Sequence, residues 1–296
     1  MKHLLDIKFW GVRGSTPCAN DENMRYGGNT TCLQICMEGR DELLILDCGT
    51  GFRNLGNELD ETKSSTKGRV FITHPHWDHL QGFPFFKPFY SGDNWFRMYL
   101  PPQGDIGCKE ILQGHMSSTF FPVSIDMLEA DIDCETFQVG MKNFDGYSVE
   151  YMWASHTVPT AMFKLHFGDT SVIFAPDNEL VTDGSEGAAE FRKKLIEFFK
   201  DADVLIHDAQ YDREQYKGRI GWGHSAWEDV VELAKEANVK KLFLTHHDPD
   251  NDDEKLAIRE KKILDAHAQY FETLGLAKEG QKISLTYTDS KKVSAK

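Results

Sequence analysis

The sequence predicts a mixed α/β (α+β) fold in which two β-sheets are covered by helices. Its 296 residues, of which 40% are hydrophobic, can supply a sizeable core. Short apolar segments with strand-like composition alternate with longer helical patterns, as expected for such layers. Neither an internal repeat nor a Pro/Ser-rich linker divides the chain, so we expect a single domain over residues 1–296.

Strands are predicted where a short apolar or β-branched run ends at a turn-forming residue. The predicted strands are Leu5–Trp10, Leu33–Met37, Leu43–Leu46, Val70–Thr73, Arg97–Leu100, Tyr147–Trp153, Ala161–Phe167, Ser171–Ala175, Val204–His207, Leu242–Thr245 and Ile283–Tyr287. The predicted helices are Ala188–Lys200, Ala226–Ala237 and Glu254–Leu274. The second helix has the clearest start signal, because Ser225 and Glu228 have the spacing of a capping box.

The charge balance limits the class of partner. The net charge is −14, from 33 basic and 47 acidic residues. A protein that binds long nucleic acid usually presents a basic face, so this balance argues against such a partner. It does not exclude a small phosphorylated substrate, because two divalent metal ions would reverse the local field.

No apolar run approaches the roughly 20 residues that span a bilayer, and the N-terminus lacks the apolar stretch of a signal peptide. We therefore expect no membrane association and a cytoplasmic location. The six cysteines include no C-x-x-C pair. We expect free, mostly buried thiols and no structural zinc knuckle.

The strongest chemical signal is the run Thr-His-Pro-His-Trp-Asp-His at positions 73–79, directly after an apolar strand. Alternate side chains at a strand exit can enter one cleft, so His74 and His76 can share a metal ion. Asp78 and His79 can turn toward a second ion. Nitrogen and oxygen ligands of this kind suit zinc, and also manganese or iron.

The spacing H-x-H-x-D-H resembles the signature of the metallo-β-lactamase superfamily, whose fold is an αββα sandwich of two mixed β-sheets flanked by helices. That family carries further ligands after later strands. His156, Asp177 and His246 occur in the expected order and context. His247 competes for the last position, but His246 directly follows the strand and matches the family pattern better.

The resemblance implies a dinuclear centre. One divalent ion, most simply Zn²⁺, would be held by His74, His76 and His156. The other would be held by Asp78, His79 and His246, with Asp177 bridging. A hydroxide between the two ions would attack a phosphodiester.

Further segments resemble the branch that contains ribonuclease Z and related cyclic-nucleotide phosphodiesterases. These segments are Gly11–Pro17, Tyr26–Cys32, Leu46–Gly51, Ile206–Ala209 and Gly221–Ser225. In that branch the Gly-His-Ser histidine, here His224, protonates the leaving oxygen and a carboxylate orients it. Asp208 matches the place of this carboxylate, where relatives often carry Glu. The candidate catalytic residues are therefore Asp78, His224 and Asp208.

Two phosphodiesterase functions compete. The first is hydrolysis of a small phosphodiester or nucleotide, such as a cyclic nucleotide. The second is processing of transfer-RNA 3′ ends, the ribonuclease Z activity, which uses a basic, flexible arm that we do not find between Ala175 and Gly223. A non-enzymatic scaffold would have lost ligands, and hydrolysis of other esters stays open. The resemblance also implies a homodimer.

Overall fold

Two mixed β-sheets of seven strands each form the centre of the molecule, and helices cover both outer faces. The computed structural model describes residues 2–62 and 64–288. The prediction of two mixed sheets flanked by helices is confirmed. The strands are β1 (Lys2–Gly11), β2 (Cys32–Met37), β3 (Glu42–Leu46), β4 (Lys67–Phe71), β5 (Trp95–Leu100), β6 (Asp131–Thr136), β7 (Gly140–Phe144), β8 (Tyr147–Trp153), β9 (Ala161–Phe167), β10 (Thr170–Ala175), β11 (Val204–Asp208), β12 (Lys241–Thr245), β13 (Thr273–Leu276) and β14 (Lys282–Thr288).

The helices are α1 (Gly51–Thr62), α2 (Trp77–Leu80), α3 (Cys108–His115), α4 (Glu186–Phe199), α5 (Arg213–Tyr216), α6 (Trp227–Glu236) and α7 (Asp253–His267). Short 3₁₀ helices lie at Asp21–Asn23, Phe83–Phe85, Lys87–Tyr90, Ile125–Met127 and Ala268–Tyr270. Over the described part of the chain, none of the helices is long and apolar enough to cross a membrane.

Strand direction determines where the strand ends meet. The first sheet has the order β14-β1-β2-β3-β4-β5-β6, and β3 to β6 run parallel. The second has the order β13-β12-β11-β10-β9-β8-β7, and β10 to β13 run parallel. Parallel strands place their carboxyl ends at one edge of a sheet. The two edges adjoin, since the backbone N–H of Ala161 donates to the carbonyl of Thr73 at 2.9 Å.

Aromatic and aliphatic side chains fill the space between the two sheets. Phe71 of β4 stacks on Tyr99 of β5, with ring centroids 4.7 Å apart, and meets Phe163 of β9 edge-on at 5.7 Å. On the outer face of the second sheet, apolar residues of α4, α6 and α7 are buried. Those of α1 and α3 are buried on the outer face of the first sheet. Burial on both faces of the strands holds the site-bearing edge in place.

All predicted strands overlap observed ones, but three strands were missed. β6 and β7 are the edge strands of their sheets and carry polar, half-exposed sequences, so they lack the apolar signal of central strands. The third, β13, falls within the predicted helix Glu254–Leu274. That prediction is wrong beyond His267, because residues 273–276 pair in parallel with β12.

The predicted capping box of α6 is also wrong. Ala226 is the N-cap residue, and no side chain caps the helix. Ser225 is fully buried and turns inward, where its hydroxyl donates to the carbonyl of Asn178 and accepts from the N–H of Leu180 at 3.0 Å. Glu228 accepts a hydrogen bond from the N–H of Arg213 instead. Ser225 therefore connects α6 to the segment that follows β10.

Replacing Ser225 by alanine should destabilise the protein by about 1–3 kcal/mol, because two buried backbone groups lose their partner. Urea unfolding followed by circular dichroism measures this loss. Ser65→Ala, at an exposed position, is the matched control. Equal stability of the two variants would contradict the assigned role of Ser225.

Candidate metal centre

Every predicted metal ligand lies just beyond the carboxyl end of a strand. His74, His76, Asp78 and His79 follow β4, and α2 begins within this motif at Trp77. His156 follows β8, Asp177 follows β10 and His246 follows β12. The structure brings these seven side chains into overlapping groups whose ligand atoms lie within 4.8 Å of one another. Their role as ligands stays a prediction.

The first group consists of three imidazoles. Nδ1 of His76 lies 2.8 Å from Nε2 of His74 and 3.2 Å from Nε2 of His156. Each of the other two rings uses its Nδ1 elsewhere: His74 meets the hydroxyl of Thr73 at 3.1 Å, and His156 donates to the carbonyl of Gly223 at 2.9 Å. The nitrogen atoms that face one another are therefore free to bind a metal ion.

The second group contains two imidazoles and a carboxylate. Oδ2 of Asp78 lies 3.3 Å from Nε2 of His79 and 3.1 Å from Nε2 of His246. All three side chains are buried. His246 has a positive φ of 62°, an uncommon backbone conformation for a residue other than glycine. Such strain is often found at functional sites.

Asp177 stands between the two groups and presents one oxygen to each. Its Oδ2 lies 3.8 Å from His74 Nε2 and 3.7 Å from His156 Nε2. Its Oδ1 lies 3.1 Å from His79 Nε2 and 3.2 Å from His246 Nε2. Burial would raise the pKa of Asp177, but the surrounding imidazoles hold it well below its usual range. A charged carboxylate placed in this way can bridge two ions.

The donor set fits a pair of divalent cations. Asp177 Oδ1 and His79 Nε2 are buried and lie 3.1 Å apart, yet neither makes a hydrogen bond of good geometry among the described residues. A buried polar atom without a partner is costly, whereas a metal ion would satisfy both. The ring nitrogens that converge at 2.8–3.2 Å also need a proton or a cation between their lone pairs, and a metal ion would supply one.

The residues behind the ligands were missed by the sequence analysis as functional positions. Asp47 is fully buried and accepts from His79 Nδ1 at 2.7 Å, and Thr73 donates to the same carboxylate. Gln210 accepts from His246 Nδ1 at 3.2 Å. Such partners fix the orientation and tautomer of a ligating histidine. Asp47 lies within Leu46–Gly51, one of the segments that resemble the ribonuclease Z branch, but only its position beside His79 shows what it contacts.

A closed ring of contacts surrounds the second group. The N–H of Ser15 donates to Asp78 Oδ2 at 2.7 Å, and Gln210 Nε2 contacts the hydroxyl of Ser15 at 3.4 Å. Gln210 in turn meets His246, whose Nε2 faces Asp78. Gly14 is required beside this ring, because an added Cβ would lie 2.2 Å from His246 Nδ1. The loop 11–17 thus orients Asp78 and packs against His246.

The predicted pair of His224 and Asp208 forms next to the metal groups. His224 Nδ1 lies 2.9 Å from Asp208 Oδ2, so the shorter carboxylate reaches the ring. Burial alone would lower the pKa of His224, but Asp208, with Asp177 and Asp78, raises it to about 9. These carboxylates favour the protonated form of the imidazole. Its side chain lines a cleft of about 490 Å³ together with Ser15, Arg219, Trp222 and Asp248.

The remaining histidines of interest lie outside the two groups. His247 is fully buried, donates from Nε2 to the carbonyl of Ala277 at 2.8 Å, and has a pKa lowered to about 3 by burial. The structure thus places His246, and not His247, among the predicted ligands. His166 contacts Glu150 at 3.3 Å on β9, away from the site.

Curated relatives of similar sequence are ribonuclease Z enzymes. The enzyme of Archaeoglobus fulgidus is 24% identical over 340 aligned positions, which cover 97% of this chain and 100% of the relative. The enzyme of Enterococcus faecalis is 25% identical, with 82% and 86% covered. These relatives agree with the branch that the sequence motifs indicate.

Solved structures of similar fold include the metallo-β-lactamase fold protein YhfI of Bacillus subtilis, with a TM-score of 0.69, 19% identity and coverage of 96% of this chain and 100% of that one. A diphosphatase of the PhnP family has a TM-score of 0.62 and 15% identity, with 97% and 99% covered. The short form of human tRNase Z has a TM-score of 0.60 and 18% identity, with 94% and 98% covered. At these identities the likeness concerns the fold.

The family model described as beta-lactamase superfamily domain matches residues 43–247. This range includes each of the predicted ligands and also His224 and Asp208. The two seven-stranded sheets agree with this match. The chain belongs to the beta-lactamase superfamily, in its metallo-β-lactamase fold.

Proposed function

We propose that this protein is a dinuclear metal-dependent phosphodiesterase that hydrolyses a small diester such as a cyclic nucleotide. The observation that carries the proposal is the position of Asp177. Its two oxygens face separate groups of predicted ligands, and Nδ1 of His224 lies 3.9 Å from Asp177 Oδ2. A metal pair with a proton donor beside it is what diester cleavage requires.

His74, His76 and His156 would hold one ion, Asp78, His79 and His246 the other, and Asp177 would contact both. Their nitrogen and carboxylate donors suit Zn²⁺. When bound, two divalent cations would polarise the phosphoryl group and lower the pKa of an attacking water. Asp47, Thr73 and Gln210 hold the ligating rings in the orientation that this arrangement needs.

His224 would donate the proton that the departing oxygen needs. Its Nδ1 is occupied by Asp208, so Nε2 is the nitrogen available to the substrate. Asp208 is fully buried and also accepts from the backbone N–H groups of Asn178 and Gln210, at 3.3 and 3.0 Å. These bonds fix the carboxylate, which in turn fixes the plane of the imidazole. His224 is thus a general acid and Asp208 a positioning residue.

The cleft favours a small substrate. Its volume of about 490 Å³ lies in the range of small-molecule sites. Arg219 is in the cleft, 5.0 Å from the ring of Tyr211, and offers a positive charge beside His224. The net charge of −14 disfavours a long polyanion.

Transfer-RNA 3′-end processing is the second candidate, because the curated relatives are ribonuclease Z enzymes. That activity needs a surface that grips RNA. Residues 176–223, where the arm would be expected, consist of α4, β11, α5 and their connections. We therefore favour the small diester.

A panel of substrates tests the proposal. Purified, metal-loaded protein would be assayed with cyclic nucleotides, bis(p-nitrophenyl) phosphate and a precursor transfer RNA. We expect turnover of a cyclic nucleotide and of the aryl diester. Efficient cleavage of the transfer RNA alone would replace the proposal by the second candidate.

Each chain should bind two transition-metal ions, and Asp177→Ala should lose metal and activity together, because both coordination shells lose a ligand. Elemental analysis of protein purified without chelator measures the content. His166→Ala, which removes a histidine outside the site, should keep both ions and full activity. A metal-replete wild type with one ion or none would contradict the dinuclear arrangement.

His224→Ala should keep both ions but slow diester cleavage by roughly 10²–10⁴-fold, the usual scale for the loss of a general acid. The loss should be smaller for p-nitrophenolate, a leaving group that needs little protonation. Asp208→Asn should reproduce part of the effect, because it removes the charge that favours the imidazolium. Steady-state rates with both substrates measure this.

Two results would contradict the assignment of His224. A variant that loses a metal ion would make His224 a ligand. Equal slowing of both substrates would make it a phosphate-binding group instead of a proton donor. Wild-type behaviour of His166→Ala in the same assays is the control.

A further inference from the structure

Glu179 is a buried carboxylate two residues after Asp177, and the mechanism above does not use it. It is 3% exposed. Its Oε1 accepts from the hydroxyl of Tyr216 at 2.7 Å and from the N–H of Gly221 at 2.8 Å. Its Oε2 accepts from the N–H of Gly223 at 2.8 Å. All three donors belong to residues 216–223, the segment that leads to His224.

The shape of this segment depends on its glycines. Gly221 and Gly223 have φ values of 83° and 88°, which other residues rarely adopt. In this conformation both N–H groups point toward Glu179. Charge-assisted bonds to backbone N–H groups are among the stronger hydrogen bonds, and they compensate the burial of the carboxylate. Glu179 therefore holds the segment in one conformation.

The segment contacts both parts of the site. The carbonyl of Gly223 accepts from His156 Nδ1 at 2.9 Å, which leaves Nε2 of that ring free to bind metal. The next residue is His224, which meets Asp208. The approach is close, because a Cβ on Gly223 would lie 2.1 Å from His156 Nδ1. The peptide unit between Gly223 and His224 therefore accepts the hydrogen bond from the predicted metal ligand His156 and positions the proposed general acid His224.

The backbone of Glu179 also contacts Ser155, the residue before His156. Its N–H donates to the carbonyl of Ser155 at 2.7 Å. The neighbouring Asn178 accepts from the N–H of Ser155 at 3.0 Å. Asn178 and Glu179 therefore fix the backbone of Ser155, the residue before His156.

We propose that Glu179 is a positioning residue that couples the general acid His224 to the predicted metal ligand His156 through Gly223. The carboxylate of Glu179 holds the N–H of Gly223. In this conformation the carbonyl of Gly223 accepts from His156, and the imidazole of His224 contacts Asp208. The role of His224 in this inference rests on the proposed function. The link to His156 rests only on the predicted metal centre.

Glu179→Gln tests the inference, because it keeps the shape of the side chain but replaces one acceptor oxygen by an NH₂ group. Tyr216→Phe is the matched control, since it removes one bond and leaves both glycine N–H bonds in place. The first readout is zinc release from zinc-loaded protein to a chromophoric chelator. We expect one of two ions to leave about 10–100-fold faster in Glu179→Gln, the usual scale for losing such a supporting contact. Tyr216→Phe should release zinc like the wild type.

The second readout is kcat for a cyclic nucleotide and for bis(p-nitrophenyl) phosphate. Glu179→Gln should slow the cyclic nucleotide more than the aryl diester. In a His224→Ala background, Glu179→Gln should slow both substrates equally, because the difference between them depends on His224. The faster zinc release should remain, because it depends on His156. Should Glu179→Gln not fold by thermal melting, Glu179→Asp replaces it with the same two readouts.

Unchanged zinc release, or a difference between substrates that persists without His224, would overturn the inference. Zinc release needs no substrate, so it tests Glu179 even if the wild type hydrolyses no diester in the panel. A wild type that hydrolyses no diester would refute the proposed function and leave the role of Glu179 at His156 to be decided by zinc release.

Discussion

The carboxylate of Asp177 is the constraint on which the rest of the site depends. It is 1% exposed and lies between four imidazoles, with one oxygen toward His74 and His156 and the other toward His79 and His246. A charge in this position is stable only if cations or hydrogen-bond donors surround it. The two sheets meet this requirement, because strand ends from both of them deliver histidines to the same edge.

The orientation of the predicted ligands rests on a layer of hydrogen bonds behind them. Asp47 holds His79, Gln210 holds His246 and the carbonyl of Gly223 holds His156. Each partner leaves one ring nitrogen free and fixes its direction, which preorganises the site before any ion binds. The segment after β10 joins this layer to the proposed general acid His224, since the N–H of Asn178 donates to Asp208 and the adjacent Glu179 holds the loop that leads to His224.

The sequence pointed to the candidate ligands because the H-x-H-x-D-H motif and the later His156, Asp177 and His246 resemble the family pattern, in which ligands come in the segments after strands. It could not predict the supporting residues, because their partners are distant in sequence: Asp47 and His79 are 32 positions apart, and Glu179 and Gly223 are 44 apart. Local sequence signals gave wrong predictions where contacts between distant residues determine the structure. Ser225 has the spacing of a cap but bonds to residues near β10, and residues 273–276 leave the helical pattern to extend a sheet.

Anomalous diffraction from crystals of the metal-loaded protein tests the central claim most directly. The account predicts two peaks, about 3.5–4 Å apart as in other two-metal sites. One peak should lie beside His74, His76 and His156 and the other beside Asp78, His79 and His246, with an oxygen of Asp177 bound to each. A single peak, or two peaks of which only one contacts Asp177, would contradict it.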